Sequence, residues 1–124
     1  MRILVVEPAR RPEVREIDGS LKSMQGIVGG LIQALYPFEE PVSLVCNDEG
    51  KLMDLPANRG LRDQNGQLCD IVFGTFFLCG APAGSEHFTS LTPEQIERYR
   101  ERFHTPEMFW GMDGRIVCLP LEVD

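Results

Sequence analysis

Between Asp70 and Gly80 the chain reads Ile71-Val72-Phe73-Gly74-Thr75-Phe76-Phe77-Leu78-Cys79, with almost no polar side chain. Such a run must be covered on both faces, and it falls short of the roughly 18 apolar residues that cross a bilayer. It predicts a central strand with the rest of the chain built around it. Ile3-Leu4-Val5-Val6, stopped by Pro8, reads as another strand, and Val14 to Ile17 alternates as a half-exposed strand does. These two are expected to pair across the basic turn Ala9-Arg10-Arg11-Pro12.

Covering such strands takes a core, and 124 residues suffice for one. Hydrophobic residues make up 43% and charged residues 25%, which describes a folded domain rather than a disordered segment. The net charge of -7 repels DNA, RNA and anionic membranes, so nucleic acid and membrane partners are not expected. The start, Met1-Arg2-Ile3-Leu4-Val5-Val6-Glu7-Pro8, is unlike a signal peptide, which points to the cytoplasm. Four cysteines, Cys46, Cys69, Cys79 and Cys118, lie in apolar segments without a C-x-x-C pair and read as buried reduced thiols.

Asp18-Gly19-Ser20 offers capping side chains ahead of Leu21, Met24, Val28, Leu31 and Leu35, a stripe at helical spacing. A long helix is predicted there, with Gly26, Gly29 and Gly30 as a face for close packing. Val42 to Cys46 reads as a strand that turns at Asn47-Asp48-Glu49-Gly50 into Lys51-Leu52-Met53. Leu55 to Asp63 reads as an irregular polar connection, and Asn65-Gly66 as a turn. The small residues from Gly80 to Ser85 suggest a mobile loop over a site. Thr92-Pro93-Glu94-Gln95 has the hydroxyl, proline and glutamine of a capped helix start. Thr105-Pro106-Glu107 repeats that signal, which extends the helical segment through Trp110. Asp113-Gly114 then turns into Arg115 to Pro120, a closing strand for the sheet. Together these predict an α+β fold in a single domain, residues 1–124: a mixed, mainly antiparallel sheet with one long N-terminal helix and a C-terminal helical segment. Exposure of Phe76, Phe77, Phe109 or Trp110 would create a dimer interface, although core burial is the commoner fate of such residues.

The sequence contains no Walker loop, G-x-S-x-G or dinucleotide glycine motif, and no cofactor is expected. The two histidines, His87 and His104, fall in no metal-ligand spacing. Glu86-His87 beside the glycine-containing loop leaves an acid/base role open. The most distinctive polar cluster is Asn58-Arg59-Gly60-Leu61-Arg62-Asp63. Two guanidiniums three residues apart can grip a carboxylate or phosphate, or they can pair with neighbouring aspartates to fasten the loop. The ligand-binding reading takes in Asn58, Arg59, Arg62, Asp63 and, at the adjacent strand end, Thr75.

Ile3 to Pro8, Glu16-Ile17-Asp18-Gly19-Ser20-Leu21, the glycine-bearing segment ending at Tyr36-Pro37-Phe38, Asn58-Arg59 with Arg62-Asp63, and Gly74-Thr75-Phe76-Phe77 recur here in one order. In this the chain resembles the bacterial and phage family called domain of unknown function 3846, from Met1 to about Pro120. The resemblance implies an accessory protein of a phage or conjugative element in gut Firmicutes and related bacteria, among antirestriction-type genes. It carries over no catalytic residue. The expected function is a non-catalytic binding protein acting on a host protein; the alternatives are a small-molecule binder holding an anionic ligand, such as a nucleotide, and an enzyme using His87 with Glu86 or a buried cysteine.

Overall fold

The computed structural model describes residues 1–121. Nine strands and two helices follow in the order β1 (Arg2–Val6), β2 (Glu13–Glu16), α1 (Leu21–Val28), β3 (Ile32–Leu35), β4 (Val42–Asn47), β5 (Ala57–Arg62), β6 (Leu68–Phe73), β7 (Phe76–Gly80), α2 (Pro93–Arg102), β8 (Glu107–Met112) and β9 (Arg115–Pro120). Five strands form the main sheet, in the order β2-β1-β7-β4-β3, while β5-β6 and β8-β9 are separate two-stranded ribbons. Every strand pair is antiparallel, so the sheet is not mixed.

The apolar run that dominates the sequence serves two sheets. Gly74 interrupts it with φ 80°, in the left-handed region that side chains disfavour, and its N–H donates to Pro56 O at 2.7 Å. Before that kink, β6 pairs with β5; after it, β7 lies at the centre of the main sheet between β1 and β4. Alternation then sorts the side chains. Ile3, Val5, Val45, Phe77 and Cys79 meet Met24 and Val28 of α1 on one face. Leu4, Val6, Leu44, Phe76 and Leu78 meet Leu61, Val72, Ile96, Tyr99 and Phe103 on the other. The sheet is thus sandwiched between α1 and a layer made of α2 with the β5-β6 ribbon. Burial on both faces explains why its inner strands carry no polar alternation.

The predicted long N-terminal helix is overturned, for α1 ends at Val28. Ser20 caps its start by accepting the Ser23 N–H, and Gly29 ends it at φ 79° with its N–H on Gln25 O. Asn47 Nδ2 donates to Val28 O at 3.1 Å, and a side chain at Gly30 would meet that amide. The chain therefore reverses, and Ile32–Leu35 pairs with β4 instead of continuing the helix. The glycines are a stop signal rather than a packing face, because nothing lies within 4 Å of a Cβ placed at Gly26.

Four further expectations change. Leu55 to Asp63 is not irregular, since Ala57–Arg62 is a strand. Lys51-Leu52-Met53 forms no strand, and β4 finds its partners in β3 and β7. The capping box at Thr92 and Gln95 does start α2, but the helical segment stops at Arg102 and Glu107–Met112 is a strand. Its partner β9 closes a separate ribbon rather than the main sheet. The expected pairing of β1 with β2 is present, with Leu4 opposite Val14.

Candidate functional site

The sequence cluster around β5 divides between interior and surface. A strand directs residues three apart to opposite faces, so Arg59 and Arg62 cannot act as one grip. Arg59 is buried at 1% exposure. Its Nε and NH2 donate to Phe103 O at 3.1 and 3.0 Å, NH2 also donates to Arg10 O, and NH1 donates to Asn58 Oδ1 at 2.9 Å. Burial pulls its pKa down to about 10, an effect opposed by the charge of Glu107. Asn58, fully buried, donates through Nδ2 to Val6 O and Gly74 O, both at 2.9 Å. This pair joins the end of β1, the Gly74 kink, the Arg10 loop and the C-terminus of α2.

Arg62 and Asp63 face outward into a cleft of about 1060 Å³ between the Pro37–Glu40 segment, the β5-β6 turn and α2, lined also by Phe38, Arg98, Tyr99 and Arg102. The half-buried Thr75 is not among its lining residues. Asp63 Oδ1 accepts the backbone N–H groups of Asn65 and Gln67 and so shapes the turn. Arg62 donates to Glu107 Oε1 at 2.7 Å, while Glu107 Oε2 accepts the Gly60 N–H at 2.9 Å. Across the cleft, Glu40 accepts from Arg98 and, at 2.6 Å, from Tyr99 Oη. The Arg98 hydrogen bond, then that of Tyr99, holds the Glu40 carboxyl below the usual range; burial first, then Glu40, pushes the Tyr99 phenol up. The Arg102 guanidinium lies 4.9 Å from the Phe38 ring centroid. Sequence reasoning drew from α2 only its capped start and so missed this wall. The available signal was Arg98 and Arg102 four residues apart on one helical face.

A second feature rises beside the cleft, where β8 runs next to β5. Residues directly opposite in an antiparallel ribbon share a face. Met108 pairs with Leu119, Trp110 with Val117 and Met112 with Arg115. Met108, Trp110, Met112 and Leu119 are all exposed, Trp110 at 41% and Met112 at 52%. The alternate residue Glu107 turns to the other face and fastens the ribbon to β5. Asp113 and Gly114 both take positive φ in the connecting turn.

The other sequence candidates lie apart from these features. Glu86 and His87 are exposed on the loop after β7 and do not line the cleft. The Gly80–Ser85 loop does not overhang it either; Gly80 bridges to Thr89. Cys46 and Cys79 are buried thiols, and burial pushes Cys79 up to about 12, far from a reactive thiolate. Cys69 is exposed and Cys118 half-buried, contrary to the expected burial of all four. Among the described residues no group of three or more His, Cys, Asp or Glu is placed to hold a metal ion, and no helix is long and apolar enough to cross a membrane.

Fold and site together define a small α+β protein: an antiparallel sheet locked to its second helix by a buried Asn-Arg pair, with an open polar cleft and an apolar ribbon at one end. The chain belongs to the family described as Domain of unknown function (DUF3846), which it matches over residues 1–104. The match ends before Glu107, so the β8-β9 ribbon lies beyond it, and the similarity expected to reach about Pro120 is shorter. No curated protein matches the chain, and no solved structure does.

Proposed function

We propose that this protein is a non-catalytic binding protein that docks on another protein through the outer face of the β8-β9 ribbon. One observation carries the reading: Met108, Trp110, Met112 and Leu119 stand exposed together on a ribbon fastened through its opposite face. Soluble proteins rarely leave a contiguous apolar patch to water without a use for it, and Met and Trp are enriched where proteins meet. A two-stranded ribbon alone is marginally stable, which makes an added partner surface more valuable still. The family resemblance supplies the setting, an accessory protein of a phage or conjugative element in the host cytoplasm, and the partner is accordingly a host protein.

Tagged protein recovered from host lysate is compared with the double variant Trp110→Ala/Met112→Ala, which leaves the core untouched. Loss of a central aromatic anchor costs about 2 kcal/mol or more, a drop of about 30-fold in affinity. Retention of a specific host protein by the wild type and its loss from the folded variant is the expected result. Equal recovery by both, or no specific recovery by either alongside a positive control, overturns the proposal.

A further inference from the structure

We propose that the cleft between the Pro37–Glu40 segment, the β5-β6 turn and α2 binds a small monoanionic carboxylate, with Arg102 as its anchor. The basis is an imbalance in how its charged groups are engaged. Arg98 is met by Glu40, and Arg62 by Glu107. Arg102 meets only aromatic rings among the described residues, those of Phe38 and, at 5.9 Å, Phe103. An arginine steadied over a ring retains its in-plane N–H donors, which match the two oxygens of a carboxylate.

The cleft's own carboxylates take partners other than Arg102. Both oxygens of Glu40 are engaged, one by Arg98 and the other by Tyr99. Glu39 Oε1 accepts from Gln64 at 3.0 Å, and Asp63 is committed to its turn. The capacity left over is therefore chiefly that of a donor. Ligand charge follows from the lining, which sets Arg62, Arg98 and Arg102 against Glu39, Glu40 and Asp63. Glu107, outside the lining, offsets Arg62, and Glu40 offsets Arg98, which leaves Arg102 as the lining guanidinium without a carboxylate partner among the described residues; a single negative charge is accommodated there, whereas a polyphosphate would press further charge against Glu39 and Asp63. A volume of about 1060 Å³, open to solvent, admits a ligand from the size of an amino acid to a short peptide. The surface that carries the protein-docking proposal is separate, and either proposal can fail without the other.

The test titrates the full chain with N-acetylglycine, its neutral amide N-acetylglycinamide, inorganic phosphate and ATP, reading the arginine Nε–Hε resonances by NMR and the affinity by calorimetry. N-acetylglycine is expected to shift the Arg102 resonance saturably, and neither inorganic phosphate nor ATP should bind better than it does. Arg102→Ala should reduce carboxylate binding at least tenfold, and Arg102→Lys should restore it only in part. Arg100→Ala, an exposed change on the same helix outside the cleft lining, should leave it unaltered. The neutral N-acetylglycinamide should be inert. An amidated tripeptide with a central glutamate identifies the source: tighter binding than to the free acid makes the occupant a peptide side chain, equal or weaker binding a free acid. Because Arg102 is exposed, its variants should keep the wild-type amide spectrum away from the cleft. An unperturbed Arg102 resonance, full binding by Arg102→Ala, or tenfold tighter binding of ATP overturns the assignment.

Discussion

Arg59 carries its charge into the interior with carbonyl oxygens, rather than a carboxylate, around the guanidinium. Those carbonyls include Phe103 O at the C-terminal end of α2, where the helix leaves acceptors without intrahelical donors. A buried arginine there serves as a long-range C-cap. Arg59→Met keeps the approximate volume but orphans the Phe103 and Arg10 carbonyls and Asn58 Oδ1, at roughly 1–3 kcal/mol for each group left buried and unpaired. Partial relaxation should bring the net loss to about 3 kcal/mol in a urea titration; a change below about 1 kcal/mol would show that the knot does not hold the fold. The sequence makes Asn58-Arg59 conspicuous as a polar dipeptide between apolar strands. Its destination was illegible because its partners, Val6, Arg10 and Phe103, are distant in the chain and offer backbone atoms, which have no sequence signature.

The strands were legible as elements wherever burial was two-sided, as in β1, β4 and β7, and so was α2 from its capping box. The length of α1 was not. Leu31, Ile32 and Leu35 fit the helical stripe as well as they fit a strand, and the deciding residues were Gly29 and Gly30, whose role as a stop depends on Asn47 waiting in β4. Two glycine substitutions in this one helix should accordingly have opposite signs. Gly26→Ala gains helix propensity in open space, about 0.5–1 kcal/mol of stability, whereas Gly29→Ala forces a side chain into the left-handed region and loses about 1 kcal/mol. Thermal unfolding midpoints moving in the same direction would contradict this account of the helix end.

The start of α1 adds a pH dependence. Asp18 accepts from the Ser20 N–H and from Ser23 Oγ, and its pKa is lowered to about 2, first by the Ser20 backbone hydrogen bond. A carboxyl depressed in the folded state contributes stability that is complete above its unfolded value of 3.8 and is lost as pH falls through about 2. The unfolding midpoint of the wild type should therefore exceed that of Asp18→Asn at pH 6, and the gap should narrow between pH 4 and pH 2. A gap constant with pH would assign the difference to something other than the charge.

At the scale of the molecule, an acidic chain of net charge -7 exposes Met108, Trp110, Met112 and Leu119 together on one face of the β8-β9 ribbon. That surface was hidden from sequence reasoning because Thr105-Pro106-Glu107 imitates a helix start, and a helix there would have turned Phe109 and Trp110 toward the core. The strand instead alternates, sending Glu107 to Gly60 and Arg62 and leaving Met108, Trp110 and Met112 outside. Local capping propensity lost to tertiary pairing with β9 and β5. The family match ends before this ribbon, so the docking role proposed for it does not rest on the matched region.

The most direct test places a photo-crosslinking residue at Trp110 in host cells, with the same residue at Leu52, 86% exposed and outside the β8-β9 ribbon, as the control. A discrete host-protein adduct formed from position 110 and absent from position 52 is the predicted result. No adduct at 110, the same adducts from both positions, or an adduct only with a second copy of this chain would contradict the account.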